Sequence, residues 1–130
     1  MPAATGQAFN RTREASLATR LAVADTHWTR FLGLMGQDIA KFSAGSGLWI
    51  VPCRGVHTLA MHFPIDVIYL DAGKLVVHLE EDLKPWRMAK ISLKANSVLE
   101  LPSQTIRRSG TRLGDRIEIV IDRAERNPTA

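Results

Sequence analysis

The chain predicts a mainly β fold with some α content, a compact antiparallel β-barrel or sandwich of short strands with two short helices. Three observations predict it: short apolar or alternating runs recur along the sequence, clusters of Gly, Pro, Asp and Ser separate them, and helical spacing is confined to two brief segments. With 130 residues, 45% of them hydrophobic and 23% charged, one domain with its own core is expected. The reading divides the chain into a loose N-terminal tail over 1–14, a single mainly β domain over 15–122 and a C-terminal tail over 123–130.

Each element has a local reason. Leu17, Thr19, Leu21 and Val23 are two apart, as on a half-buried strand. Asp25 or Thr26 can cap a short helix in which Trp28, Phe31, Leu32 and Met35 recur at helical spacing before Gly36. Ser43 to Gly47 reads as a loop, and Leu48 to Val51 as a strand buried on both faces and stopped by Pro52. Strands over Val56 to Met61 and Ile65 to Leu70 flank a break at Phe63-Pro64. Asp71-Ala72-Gly73-Lys74 is turn chemistry, with Gly73 free to take positive φ, so a hairpin returns through Leu75 to Leu79. Ile91 and Leu93 suggest a short strand, and Val98 to Leu101 another that Pro102 ends. Ser103 can cap one or two helical turns closing at Gly110, and after a Gly114-Asp115 turn the alternation of Ile117, Ile119 and Ile121 marks the last strand.

The same composition excludes several classes. The longest apolar stretches, such as Gly47 to Pro52, fall far short of the roughly 20 residues a membrane helix needs. The N-terminal segment has no basic stretch leading into an apolar one, so no secretory signal is read and a cytoplasmic location is expected. Cys53 is the single cysteine and cannot form an internal disulfide. Seventeen basic against thirteen acidic residues leave a net charge of +4. The surplus gathers in Arg11, Arg13 and Arg20 and in Arg107, Arg108, Arg112, Arg116, Arg123 and Arg126. That distribution allows weak nucleic-acid binding through the late arginines, although a solvated basic face explains it more simply.

Thiol, imidazole, hydroxyl and carboxylate lie close together only between Cys53 and Asp66. A zinc site would use Cys53, His57, His62 and Asp66, but on a strand His62 has the opposite parity to Cys53 and His57. A Cys53/His57 nucleophilic pair would need an oxyanion pocket that the sequence does not reveal. Cys53 is read as a packing residue. Asp66 is either an acid, base or ligand anchor beside His57, or a buried carboxylate accepting backbone N–H bonds at the Pro64 bend with His57 or Thr58 as partner. Trp86 and Arg87 follow Pro85 and could line a pocket for a planar, sugar-like or anionic ligand; alternatively Trp86 covers the barrel mouth while Arg87 pairs with Glu80, Glu81 or Asp82.

Taken in order, Gly33-Leu34-Met35-Gly36, Gly47-Leu48-Trp49-Ile50, His57-Thr58 with Met61, Ile65-Asp66, Val98-Leu99-Glu100-Leu101-Pro102 and Gly114-Asp115 resemble the family called domain of unknown function 192 (DUF192). The likeness runs from about Ala24 to Ile121. It implies a compact, mainly β fold with little helix, and it carries no activity. It puts weight on Met61, Ile65 and Asp66, whose connection is shorter here than the family's commoner spelling, and transfer of a site stops at His57, Met61 and Asp66.

The reading that results is a small cytoplasmic binding or accessory module. Its pocket, near His57, Thr58, Asp66, Trp86 and Arg87, takes a small polar or anionic ligand, with no cofactor and no metal. The alternatives are a hydrolase-like or metal-dependent enzyme using His57 and Asp66, and weak nucleic-acid binding through the C-terminal arginines.

Overall fold

The computed structural model describes residues 5–24, 42–55, 63–85 and 90–122. In chain order these form β1 (Thr5–Asn10), β2 (Ala15–Ala24), β3 (Ser46–Ile50), β4 (Ile65–Leu70), β5 (Val76–Leu83), β6 (Ser97–Pro102), the short helix α1 (Thr105–Ser109) and β7 (Ile117–Asp122). All seven strands belong to one sheet in the order β5-β4-β6-β3-β2-β1-β7. The mainly β class is therefore correct. Closure into a barrel is not: β5 and β7 are the two edges, and they touch through a single bridge, Leu75 with Arg116. The Val76 amide donating to Asp115 O and the Ile117 amide donating to Lys74 O tie the same corner.

The strand pairs are antiparallel with one exception. β2 and β3 run parallel from Arg20 opposite Ser46 to Ala24 opposite Ile50, which the long connection between Ala24 and Ser46 permits, since a parallel return needs a crossover of a dozen or more residues. The larger correction is at the N-terminus. Residues 5–10 are not a tail but a strand between β2 and β7, with Gly6 opposite both Leu21 and Ile121. Glycine and alanine at alternate positions masked the pattern, because a strand squeezed between two neighbours needs small side chains more than hydrophobic ones.

Pleating gives the sheet two apolar faces. The inner one collects Ala8, Leu17, Leu21, Ile68, Leu70, Leu99, Leu101 and Ile117, closed by Ile106 from α1. The outer one collects Leu48, Ile50, Ile65, Val67, Tyr69 and Val98, covered by Phe42, Phe63 and Ala95. Trp49 packs on the inner face with the Lys74 ammonium 5.6 Å from its ring centroid. Central strands β4 and β6 are buried on both sides, their largely apolar runs taking Asp66 and Glu100 into the interior with them.

Smaller expectations resolve individually. The β4–β5 hairpin forms, but Lys74 rather than Gly73 takes the positive φ, at 65°, while the Asp71 carboxylate accepts the Gly73 and Leu75 amides at 2.9 Å. Ile91 and Leu93 are 64% and 82% exposed and form no strand. Ser103 does not cap α1; its hydroxyl donates to Asp82 Oδ1 at 2.6 Å, and the helix closes at Gly110 in the left-handed region as expected. The helix expected after Thr26, the strand expected over Val56 to Met61 and the C-terminal tail lie outside the described residues.

A Cβ on Gly6 would collide with the Val120 carbonyl oxygen across the β1–β7 pairing. Gly6→Val is therefore expected to destabilise the domain by about 2–3 kcal/mol. Urea denaturation checks it: the midpoint should fall, and an unchanged midpoint would mean that β1 is not held in the sheet.

Candidate functional site

Asp66 is the sequence-predicted site residue that the structure describes. On β4 its neighbours Ile65 and Val67 face outward, so its carboxylate enters the inner face, 1% exposed. There both oxygens are taken by backbone. Oδ1 accepts the Asp82 amide and Oδ2 the Ile106 amide, each at 2.8 Å. Asp82, at φ 54°, lies where the β5 register shifts between Ile65 opposite Leu83 and Val67 opposite Glu80. Gln104, at φ 79°, is the N-cap of α1. Burial raises the carboxyl above its ordinary value, while the Ile106, Asp82 and Gln104 amides pull the other way. The side chain thus pins a bulge in β5 and the first turn of α1, and its donors are not those of the Pro64 bend. His57, Thr58, Trp86 and Arg87, with Met61 and His62, lie outside the described residues.

A second buried carboxylate works from the other side. Asp115 receives the Arg13 guanidinium through Nε at 3.0 Å and Nη2 at 3.2 Å, Asn10 Nδ2 at 3.0 Å and the Arg112 amide at 2.9 Å. Burial alone would raise its carboxyl, but those partners together hold it below the ordinary value. Asn10 Nδ2 also donates to Thr111 Oγ1 at 2.9 Å, which lies 2.7 Å from Ser109 Oγ. The residues that follow α1 are therefore fixed in place.

Between these two anchors lies an open cleft of about 590 Å³. Leu79, Ile106 and Leu113 give it apolar surface, Gly110 and Thr111 line it, and Arg107, Arg112 and Glu81 supply charge. Neither arginine pairs with a carboxylate among the described residues, where the arginine ion pairs are Arg11 with Glu118 and Arg13 with Asp115. Sequence reasoning counted both arginines in the basic surplus without seeing a cleft. The available signal was Gly110-Thr111-Arg112-Leu113-Gly114-Asp115, a short loop between two glycines with a carboxylate placed to fold it.

The outer face holds a different group of polar side chains. Tyr69 donates to Lys90 O at 2.5 Å and takes the His78 ring edge-on at 4.8 Å, and His78 Nε2 lies 2.8 Å from Glu80 Oε2. Half-buried Cys53 packs against this face, with its thiol donating to Gly55 O at 2.8 Å. Burial, then the nearby Glu80, Cys53 and Glu100, push the Tyr69 phenol upward. Glu100 is 3% exposed between Leu48 and Val67, and its Oε1 has no hydrogen-bond partner among the described residues. Burial pushes its carboxyl up to about 8. No three His, Cys, Asp or Glu side chains among the described residues converge in a way that could hold a metal ion.

Glu100 fixes a pH dependence. From the ordinary carboxylate range up to about 8, the folded chain holds a proton on Glu100 that the unfolded chain has released. Stability therefore falls as pH rises through that window, by up to about 1.4 kcal/mol per unit, and levels off above it. Glu100→Gln should lose this component: in urea titrations at pH 5, 7 and 9, the variant is expected to gain on the wild type at each step. Parallel pH curves would refute the assignment.

Comparison with known proteins follows the fold. The chain is 32% identical over 115 residues to a UPF0127 protein of Pyrococcus furiosus, covering 85% of this chain and 95% of that one. It is 30% identical over 115 residues to a UPF0127 protein of Thermococcus sibiricus, covering 85% and 72% respectively. A crystal structure of a protein of unknown function from Novosphingobium aromaticivorans superposes with a TM-score of 0.74 at 18% identity, over 88% of this chain and 83% of that one, so the fold is shared. No helix among the described residues is long and apolar enough to cross a membrane. The family model of DUF192, described as "Uncharacterized ACR", matches residues 8–119, and the chain belongs to that family.

Proposed function

We propose that this chain is a small binding or accessory domain for a small anionic ligand, taken in the cleft that Arg107 and Arg112 flank. The observation that carries the reading is those two guanidinium groups without a carboxylate partner among the described residues, beside an open cleft with apolar surface from Leu79 and Ile106. Guanidinium recognises phosphate and carboxylate in a planar, bidentate way. A concave site with apolar walls and few fixed polar groups is the usual form of a small-ligand pocket. Glu81 also lines the cleft and disfavours a highly charged anion, so one phosphate or one or two carboxylates suit it best. Asp66 enters as a positioning residue, because it holds the amide of Ile106 next to Arg107. The backbone amides on both Asp66 oxygens favour that positioning role.

Calorimetric titration with inorganic phosphate and with succinate at low ionic strength tests the reading. Saturable binding is expected for one of them. Arg107→Ala and Arg112→Ala should each weaken it by roughly tenfold, a charge-assisted hydrogen bond being worth about 1.5–3 kcal/mol. Equal binding by the double variant would remove the cleft. Strong binding of generic RNA that drops steeply with salt, with no phosphate binding, would move the arginines to a nucleic-acid role instead.

A further inference from the structure

We propose that the cavity beside Arg108 is a second ligand site, which takes a small aromatic monocarboxylate with its ring against Phe42 and Phe63 and its carboxylate on the Arg108 guanidinium. Helix α1 carries two arginines in succession, and they serve different surfaces. Arg107 lines the cleft together with Leu79 and Ile106, whereas Arg108 lines a cavity of about 360 Å³ with Phe42, Phe63, Pro64, Pro102 and Ser103. The two share no lining residue. Neighbours in a helix point about 100° apart, so a single turn can supply one cation to each.

The walls suit an apolar body. Phe42 and Phe63 are buried, stack with their ring centroids 5.7 Å apart, and belong to the outer core cluster with Leu48, Ile65 and Val67. That packing fixes both rings before a ligand arrives. Pro102 is opposite Ile65 in the sheet, next to Pro64, so the two pyrrolidine rings come to the same cavity. Phenyl rings accept another aromatic ring in offset or edge-on contact. The volume is at the small end of the range for ligand pockets, which suits a compact ring rather than a long chain.

The polar end of the ligand follows from what the lining offers. Arg108 is exposed, so its guanidinium stands at the mouth, and no ion pair among the described residues involves it. No lining residue carries a carboxylate. A planar guanidinium meets a planar carboxylate through two parallel N–H bonds, a match that a neutral amide does not reproduce. Ser103 limits the charge. Its hydroxyl donates to Asp82 Oδ1 at 2.6 Å, so an anionic group stands behind that wall and disfavours a second negative charge on the ligand. One guanidinium and one nearby carboxylate therefore favour a monocarboxylate over a phosphate monoester, whose charge at neutral pH approaches two.

Titration of the wild type, Arg108→Ala and Arg112→Ala with benzoate, benzamide and acetate tests the site, with the position of benzoate read from intermolecular NOEs. Benzoate is expected to bind the wild type saturably, with NOEs from its ring to Phe42 and Phe63. Arg108→Ala, a change at an exposed position, should keep the fold and weaken benzoate by roughly tenfold, the scale of a charge-assisted contact. Benzamide and acetate should each bind the wild type at least about tenfold more weakly than benzoate, since one lacks the charge and the other the ring. Arg112→Ala should bind benzoate as the wild type does, and Arg108→Ala should leave phosphate binding at the cleft unchanged, so each site can fail without the other. No saturable binding of benzoate, equal binding by Arg108→Ala, benzamide or acetate bound as tightly as benzoate, or NOEs to Leu79 and Leu113 in place of Phe42 and Phe63 would each overturn the proposal.

Discussion

The charge of Asp66 has to be accommodated inside a sheet face otherwise built from Ile68, Leu70, Leu99 and Leu101, and much of the surrounding chain is arranged to do so. An ionised carboxylate among apolar side chains is tolerable only when hydrogen-bond donors surround it. Backbone amides are the donors within reach, and bringing them there bends the chain twice. Asp82 and Gln104 both adopt positive φ, a region that costs a non-glycine residue about 1–2 kcal/mol. The charge-assisted bonds to Asp66 offset that cost, and the result is a bulge in β5 and a helix that begins beneath it. Once α1 starts there, Ile106 seals the inner core and Arg107 emerges beside the cleft.

Three buried acids illustrate different answers to the same problem. Asp66 uses backbone amides from two segments, so it controls main-chain geometry. Asp115 uses a guanidinium, an amide side chain and one backbone N–H, so it binds β1, the turn after it and the loop after α1 into one unit. Glu100 uses neither, and with no donor supplied its carboxyl holds a proton instead. The first two choices are structural in their effect. The third leaves hydrogen-bonding capacity unspent, on the opposite face of the sheet from Asp66.

Much of this fold was legible because its central strands obey simple rules. Ile65 to Leu70 and Val98 to Leu101 read as strands, the second stopped by Pro102, and Asp71 to Lys74 as a turn from its residue types. Thr5 to Asn10 was not legible, because glycine and alanine carry no hydrophobic signal and the reason for them, two close neighbouring strands, is a tertiary fact. Asp66 was recognised as special, with backbone hydrogen bonding as one of its two readings. Its donors could not be foreseen, since Asp82 and Ile106 are distant in sequence and reach it only through a bulge and a helix start. Glu100 sat unremarked in an apolar run, and its burial on both sides depends on β3 and β4, whose order in the sheet no local pattern encodes.

The arrangement of charge explains why the arginines are the free groups. Asp115 is the nearest carboxylate in sequence to Arg112, yet it is folded inward, takes the Arg112 backbone amide, and is neutralised by Arg13 from the far end of the chain. Asp66 is close to α1, yet its hydrogen bonds among the described residues come from main-chain amides and not from Arg107. Both carboxylates therefore shape the cleft without forming an ion pair with Arg107 or Arg112. The scaffold that holds Arg107 and Arg112 is thus also the reason they remain unpaired.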